Sequence, residues 1–215
     1  MFVRDIMTTK VVTVPSNTPV AEAGEVMRAN KIERLPIVDE GKLVGIVTKD
    51  KLLQISPSPG VSLSIIELTY LLSKVKVSDI MEKSLVTAVP DMTVEKAVAL
   101  AQEKKVGALP VMDGGKLVGI VTTNDFFYRI LNPLLGIGEP GARIKVHGCT
   151  GVSDVLKVYE IISKHDVKLI TMGYLPHPEH GIRDLTIHLD AADSEISKIV
   201  DELTQLDFLV EVRDR

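Results

Sequence analysis

Apolar and polar positions change period in the same order twice along this chain. Val11 to Val14 and Leu85 to Val89 are short β-branched runs that stop at Pro15 and Pro90, the pattern of a strand ending in a turn. Val20, Ala23, Gly24 and Met27, then Val94, Ala97, Val98 and Ala101, fall at helical spacing and give each of two helices one apolar stripe. Two strands follow each helix. Leu35 to Val38 and Leu43 to Val47 flank a turn at Glu40 and Gly41, and Leu109 to Met112 and Leu117 to Val121 flank Gly114 and Gly115. A further helix closes each copy, so each reads strand, helix, strand, strand, helix.

The recurrence is a duplication. Gly41 to Thr48 (GKLVGIVT) returns unchanged at Gly115 to Thr122, and Val3, Asp5, Ile6 and Met7 return as Val77, Asp79, Ile80 and Met81. The register is an offset of 74, with one residue inserted near Ala88. A unit of about 60 residues buries too little apolar surface to be comfortable alone. Two copies are therefore expected to pack about a pseudo-twofold axis, with clefts between them lined by equivalent residues.

Between the copies, Ser56 to Gly60 (SPSPG) breaks the chain. Leu63 to Lys74 is apolar around much of its circumference, a helix that needs burial in its own domain or at a subunit interface. Asn132 to Gly141 has the Pro and Gly density of a linker. Beyond it the pattern differs. Ile144 and Val146 alternate, Val152, Val155, Leu156 and Tyr159 are helical, and Val167 to Leu175 is strand-like. Leu185, Ile187 and Leu189 alternate, Ile196, Ile199, Val200 and Leu203 are helical, and Phe208, Val210 and Val212 alternate again. That order is βαββαβ, a ferredoxin-like pattern. The chain reads as α+β, with repeats at 1–56 and 77–131, a linker helix at 57–76, a linker at 132–141 and a third domain at 142–215.

Composition narrows the function. With 45% hydrophobic and 25% charged residues the chain is of ordinary globular type. A net charge of -4 argues against a nucleic-acid partner while leaving room for a local basic patch that holds one small anion. No segment reaches the length of a membrane span and the N-terminus has no signal-like apolar stretch, so a cytoplasmic protein is expected. Cys149, the single cysteine, can form neither an internal disulfide nor a zinc site by itself. His177 and His180 lack a convincing third ligand and read as a solvated hairpin turn, so no metal site is expected.

The repeats resemble a pair of CBS domains, a Bateman module, through VxDIM at Val3 and Val77, the LPIVD and LPVMD segments and KLVGIVT leading into a helix. The tail resembles an ACT domain in its βαββαβ order and in Gly151 and Val152 opening its first helix. The whole arrangement, with its YLLSKVKVSDIM junction, is similar to the AcuB-like acetoin-utilisation family. The resemblance implies a non-catalytic regulatory protein, a homodimer by family habit. Its CBS cleft would sense an adenosine nucleotide (AMP or ATP) or S-adenosylmethionine, and its ACT domain an amino acid.

The family's nucleotide motif, Gly-hydrophobic-x-Thr/Ser-x-x-Asp, maps onto Gly119, Thr122 and Asp125, with the aspartate toward ribose. Thr122 and Asp125 equally form a helix capping box. In copy one Thr48 is kept, but Lys51 stands in the aspartate's place and Asp50 comes one residue early. A lysine cannot accept bonds from a ribose diol, though Lys51 could meet a phosphate. Arg34, whose counterpart is Ala108, would reach phosphate, or else pair at the surface with Glu33 or Glu40. Val86, Thr87 and Ala88 stand where the family touches the base, or are simply strand. In the tail, Thr150, Gly151, Val152 and Ser153 match the ligand-binding loop, although Gly148 replaces the family's usual aspartate there. An enzyme is disfavoured because no nucleophile and base set recurs in a recognisable motif. A ligand-free structural or partner-binding subunit is the alternative, supported by Lys51.

Overall fold

The structure, a computed structural model, describes residues 1–54, 74–176 and 182–213. The expected helix at 63–74, apart from Lys74, the SPSPG breaker and the His177 and His180 pair lie outside the described residues. The chain divides into two compact units, Met1–Arg129 and Ile130–Arg215.

In the first unit the copies share one plan. Copy one has helix α1 (Val3–Ile6), helix α2 (Val20–Asn30), strands β1 (Arg34–Asp39) and β2 (Lys42–Thr48), and helix α3 (Lys49–Gln54). Copy two has a 3-10 turn at Val77–Asp79, helix α4 (Val94–Glu103), strands β3 (Ala108–Asp113) and β4 (Lys116–Thr122), and helix α5 (Thr123–Phe126). Each strand pair is an antiparallel hairpin with a register shift at the same place, after Ile37 and after Val111. The hairpin turns require left-handed backbone at both central residues, Glu40 and Gly41 at φ 49 and 77, Gly114 and Gly115 at φ 52 and 79.

The strands expected over Val11–Val14 and Leu85–Val89 shrink to single parallel bridges, Val14 beside Ile37 and Ala88 beside Val111. The next bond of each parallel ladder would come from the N–H of Pro36 or Pro110, and proline has none. Both bridges keep the offset of 74, so no residue is inserted near Ala88.

The leading segments are exchanged. Residues 74–82 dock on copy one: Val77 and Met81 join its core with Ala23, Met27, Leu35, Ile37 and Val47, and Glu82 exchanges two backbone bonds with Ile46 at 2.9 and 3.0 Å. Residues 1–8 dock on copy two, where Thr8 exchanges two bonds with Ile120 at 2.9 and 3.0 Å and Val3 N–H donates to Met92 O at 2.9 Å. The valine, aspartate and methionine of VxDIM each have a task. Val3 and Val77 are fully buried. Asp5 and Asp79 accept the backbone N–H three residues earlier, from Phe2 at 2.7 Å and Lys76 at 3.0 Å. Met7 and Met81 pack where a side chain on Gly119 or Gly45 of the opposite copy would stand. Neither copy is complete without the segment that precedes the other.

The second unit begins with a π turn's end and helix α6 (Asn132–Leu134), then β5 (Ala142–Cys149), α7 (Val152–Ile162), β6 (Lys168–Pro176), β7 (Arg183–Asp190), α8 (Asp193–Gln205) and β8 (Leu209–Arg213). Its sheet is antiparallel in the order β6-β7-β5-β8. Ile144, Val146, Leu185, Ile187 and Leu189 on one face pack with Val158, Ile161 and Ile162 of α7 and Ile196, Ile199 and Leu203 of α8. The segment expected as a linker at 132–141 belongs to this unit: Gly136 O accepts from Arg143 Nη2 at 3.3 Å, and Pro140 O bonds His188 Nε2 at 2.9 Å. Helix α7 buries a different stripe from the one its sequence suggests. Val152, Leu156 and Tyr159 are exposed at 75%, 55% and 53%.

Candidate functional site

The inner ends of the two hairpins enclose a cleft of about 200 Å³ within the first unit. Copy one supplies Arg34, Ile46 and Thr48, and copy two supplies Leu85, Val86, Gly107 and Ala108, with Glu82 and Lys105 also in the lining. Register explains the meeting: Arg34 lies opposite Thr48 at the open end of one hairpin, and Ala108 lies opposite Thr122 at the equivalent end of the other.

Arg34 crosses between the copies. Its guanidinium occupies the space a side chain on Gly107 would need, so this glycine in copy two permits the arginine of copy one to lie across the cleft. The side chain is 30% exposed, and its nearest carboxylate is Glu33 at 3.8 Å, shared with Lys49 at 3.6 Å. That ion pair is long and solvated, so it holds the guanidinium weakly. Arg34 with Lys105 gives the cleft a cationic side.

The remaining expected contacts divide. Thr48 and Val86 line the cleft. Ala88 is buried, and both its backbone groups are used, its N–H donating to Pro110 O and its carbonyl accepting from Met112, each at 2.9 Å. Its N–H is therefore not free for a base, and Ala88 is not among the residues lining the cleft. Lys51 N–H donates to Thr48 Oγ1 at 3.2 Å while its side chain is exposed beyond the lining residues.

Thr122 and Asp125 form a local box. Asp125 Oδ2 accepts the Thr122 N–H at 2.8 Å and the Thr122 hydroxyl at 2.7 Å, and Arg129 lies 3.4 Å from Oδ1. The carboxylate is committed to the start of α5, and neither residue is among those lining the cleft that holds Arg34. Arg34, expected toward phosphate, and Asp125, expected toward ribose, are thus not both among the residues lining this cleft. Arg34 meets Thr48 and Val86 instead.

In the second unit, Asp154 Oδ2 accepts the Thr150 N–H at 2.9 Å and the Thr150 hydroxyl at 2.8 Å, and its other oxygen lies 3.3 Å from Lys157. These bonds, the Thr150 N–H foremost, hold the Asp154 carboxyl below its usual range. The N-terminal end of α7 already carries an anion. Gly151 is extended at φ -177 with open space where a Cβ would stand, and Val152 is exposed. Among the described residues no group of three or more potential metal ligands comes together.

The CBS domain family matches residues 3–58 and 77–132, the two copies described above. This chain belongs to the CBS-domain family. The CBS domain-containing protein YhcV of Bacillus subtilis is 31% identical over 123 residues, covering 57% of this chain and 81% of that protein. An inosine-5'-monophosphate dehydrogenase of Korarchaeum cryptofilum is 30% identical over 173 residues, and there the match spans only 33% of the enzyme's length. Among solved structures, the CBS domain pair of protein MJ0100 in complex with 5'-methylthioadenosine and S-adenosyl-L-methionine has a TM-score of 0.50 at 29% identity, covering 61% of this chain and 96% of that one. An acetoin utilization protein (AcuB) from Vibrio cholerae has a TM-score of 0.53 at 28% identity, covering 65% and 98%. Among the described residues no helix is long and apolar enough to cross a membrane.

Proposed function

We propose that this CBS pair is a non-catalytic regulatory sensor that takes an adenosine-containing ligand in the cleft between its copies. The observation that carries the reading is Arg34 reaching across the cleft onto Gly107, beside Thr48 and Val86. The MJ0100 pair, similar over 61% of this chain, has a structure in complex with 5'-methylthioadenosine and S-adenosyl-L-methionine, which supports adenosine as the common element. Arg34 and Lys105 favour a phosphate over the positively charged sulfonium of S-adenosylmethionine, so AMP or ATP fits this chain better. The ligand displaces the weak Arg34 to Glu33 pair and exchanges it for a charge-assisted contact. Thr48 offers a hydroxyl, and Val86 an apolar wall.

The C-terminal unit is proposed as an ACT-like regulatory domain, on the support of its βαββαβ order and its β6-β7-β5-β8 sheet. An amino acid at Thr150 to Ser153 would have to place its carboxylate beside Asp154, which makes its ammonium end the better candidate for that contact. A cytoplasmic homodimer is proposed on family resemblance.

A second reading, a ligand-free partner-binding subunit, draws on the committed Asp125 carboxylate and on a cleft of about 200 Å³, below the roughly 300–1,000 Å³ of common ligand sites. A thermal-shift panel of AMP, ATP, S-adenosylmethionine and 5'-methylthioadenosine separates the two. Stabilisation by AMP or ATP that is lost in Arg34→Ala supports the sensor. No shift with any of the four favours the partner-binding subunit.

A further inference from the structure

On the face of the C-terminal sheet opposite α7 and α8 lies a charged cluster that the proposed function leaves unused. On β5, Arg143 and Lys145 alternate with the buried Ile144 and Val146 and so project to the outer side. The register sets Arg143 directly opposite Arg213 of β8, and Lys145 opposite Thr186 of β7. These side chains line a cavity of about 330 Å³, with Leu175 and Pro176 as its apolar wall.

Like charges directly opposite in a sheet destabilise it, yet two guanidiniums form a cross-strand pair here. The neighbouring carboxylates cancel only part of the charge. Asp184, buried to 2% exposure, lies 2.8 Å from Lys145, and Glu211 lies 2.9 Å from Arg213. Arg143 has no carboxylate within ion-pair distance among the described residues, and its Nη2 bonds only the Gly136 carbonyl, at 3.3 Å. The Lys145 to Asp184 pair joins a partly exposed ammonium to a buried carboxylate within the cavity lining.

We propose that this cavity binds a small oxyanion metabolite, a phosphate- or carboxylate-bearing molecule whose anionic group is held by Arg143 and Arg213 and whose apolar body rests on Leu175 and Pro176. A guanidinium fork matches the planar edge of either anion, and a bound anion turns the repulsion between the two arginines into a shared attraction. The site involves none of the residues assigned to the adenosine cleft or to the Thr150 to Ser153 loop.

The test is thermal unfolding of the full chain with inorganic phosphate or succinate, chloride being adjusted to keep ionic strength constant. At least one of the two anions raises the unfolding midpoint. Arg143→Gln and Arg213→Gln each weaken the apparent affinity about tenfold or more, while Lys198→Gln, a surface cation elsewhere in the unit, leaves it unchanged. Arg143→Lys keeps the charge without the fork, and serves with an intermediate loss should either glutamine variant fail to fold. Which anion acts tells a phosphate ligand from a carboxylate one. Arg34→Ala retains the response, which separates this site from the adenosine cleft. No anion effect beyond chloride, an unchanged response in folded Arg143→Gln and Arg143→Lys, or a response abolished by Arg34→Ala overturns the proposal.

Discussion

Substituting Gly119 by alanine tests the exchange of leading segments between the copies. A Cβ at Gly119 overlaps Met7 Sδ, lies 3.0 Å from Met7 Cγ and lies 3.3 Å from the Thr8 carbonyl oxygen. The carbonyl cannot retreat without loosening the two Thr8 to Ile120 bonds, so Met7 has to swing out of its contact. Overpacking of this kind costs roughly 1–3 kcal/mol. Restricting the unfolded chain by replacing glycine returns about 0.4–1 kcal/mol. The net loss is about 1–2 kcal/mol, which at roughly 2–4 °C per kcal/mol lowers the midpoint of the first unit by about 2–8 °C. The chain has no tryptophan, so unfolding is followed by circular dichroism at the helical band. The decisive comparison is a double-mutant cycle with Met7→Ala, which removes the obstructing side chain. The two substitutions together should cost at least about 1 kcal/mol less than their sum. Additivity within about 0.5 kcal/mol would mean that Met7 does not pack on Gly119, and the exchanged arrangement would be wrong.

Four further outcomes follow from particular contacts. Gly45→Ala meets Met81 as Gly119→Ala meets Met7, so it should lower stability similarly and be relieved by Met81→Ala, checked by the same cycle. Thr93 Oγ1 accepts the Lys96 N–H at the start of α4, and Thr93→Ala should cost about 1 kcal/mol in urea denaturation. His165 bridges Glu195 and Glu202 at 2.9 Å each, and those bonds, Glu195 first, raise its pKa. Its contribution to stability is therefore full below about pH 6.5, the ordinary histidine value, and is lost as pH rises through the raised folded value. A melting-temperature series from pH 5.5 to 9 should show that decline in the wild type and a flatter profile in His165→Gln; parallel profiles would refute it. Cys149 is buried, and burial pushes its thiol upward, so a thiol reagent at neutral pH should react with the unfolded chain far faster than with the folded one.

The duplication, the hairpins and most helix positions were legible because they follow from local period and turn chemistry. GKLVGIVT shows this best and also shows the limit. Its repetition marks a shared hairpin, but the reason for the glycine in VGIVT is a methionine from the other copy, more than a hundred residues away in one case and some thirty-five in the other. Local pattern carries no trace of that exchange. Pro36 and Pro110 were visible, yet their effect on the first strands depends on a parallel pairing that sequence does not state. On α7 two apolar stripes compete, and only the packing of Val158, Ile161 and Ile162 on the sheet decides which is inside. The site was half readable. Arg34, Thr48 and Val86 share one cleft, whereas the Thr122 and Asp125 motif serves its own helix start, a use the spacing alone allows equally well. The Arg143 and Arg213 pair leaves no local signal, because its members are seventy positions apart and meet only through the register of β5 with β8.

The most direct measurement of the account is calorimetric titration of AMP into the full chain, beside Arg34→Ala and Asp125→Ala. Saturable one-site binding that Arg34→Ala weakens about tenfold or more, and Asp125→Ala much less, is the predicted result. Binding that is indifferent to Arg34 and abolished by Asp125→Ala would contradict it, placing the ligand at the copy-two box rather than in the cleft that Arg34 crosses.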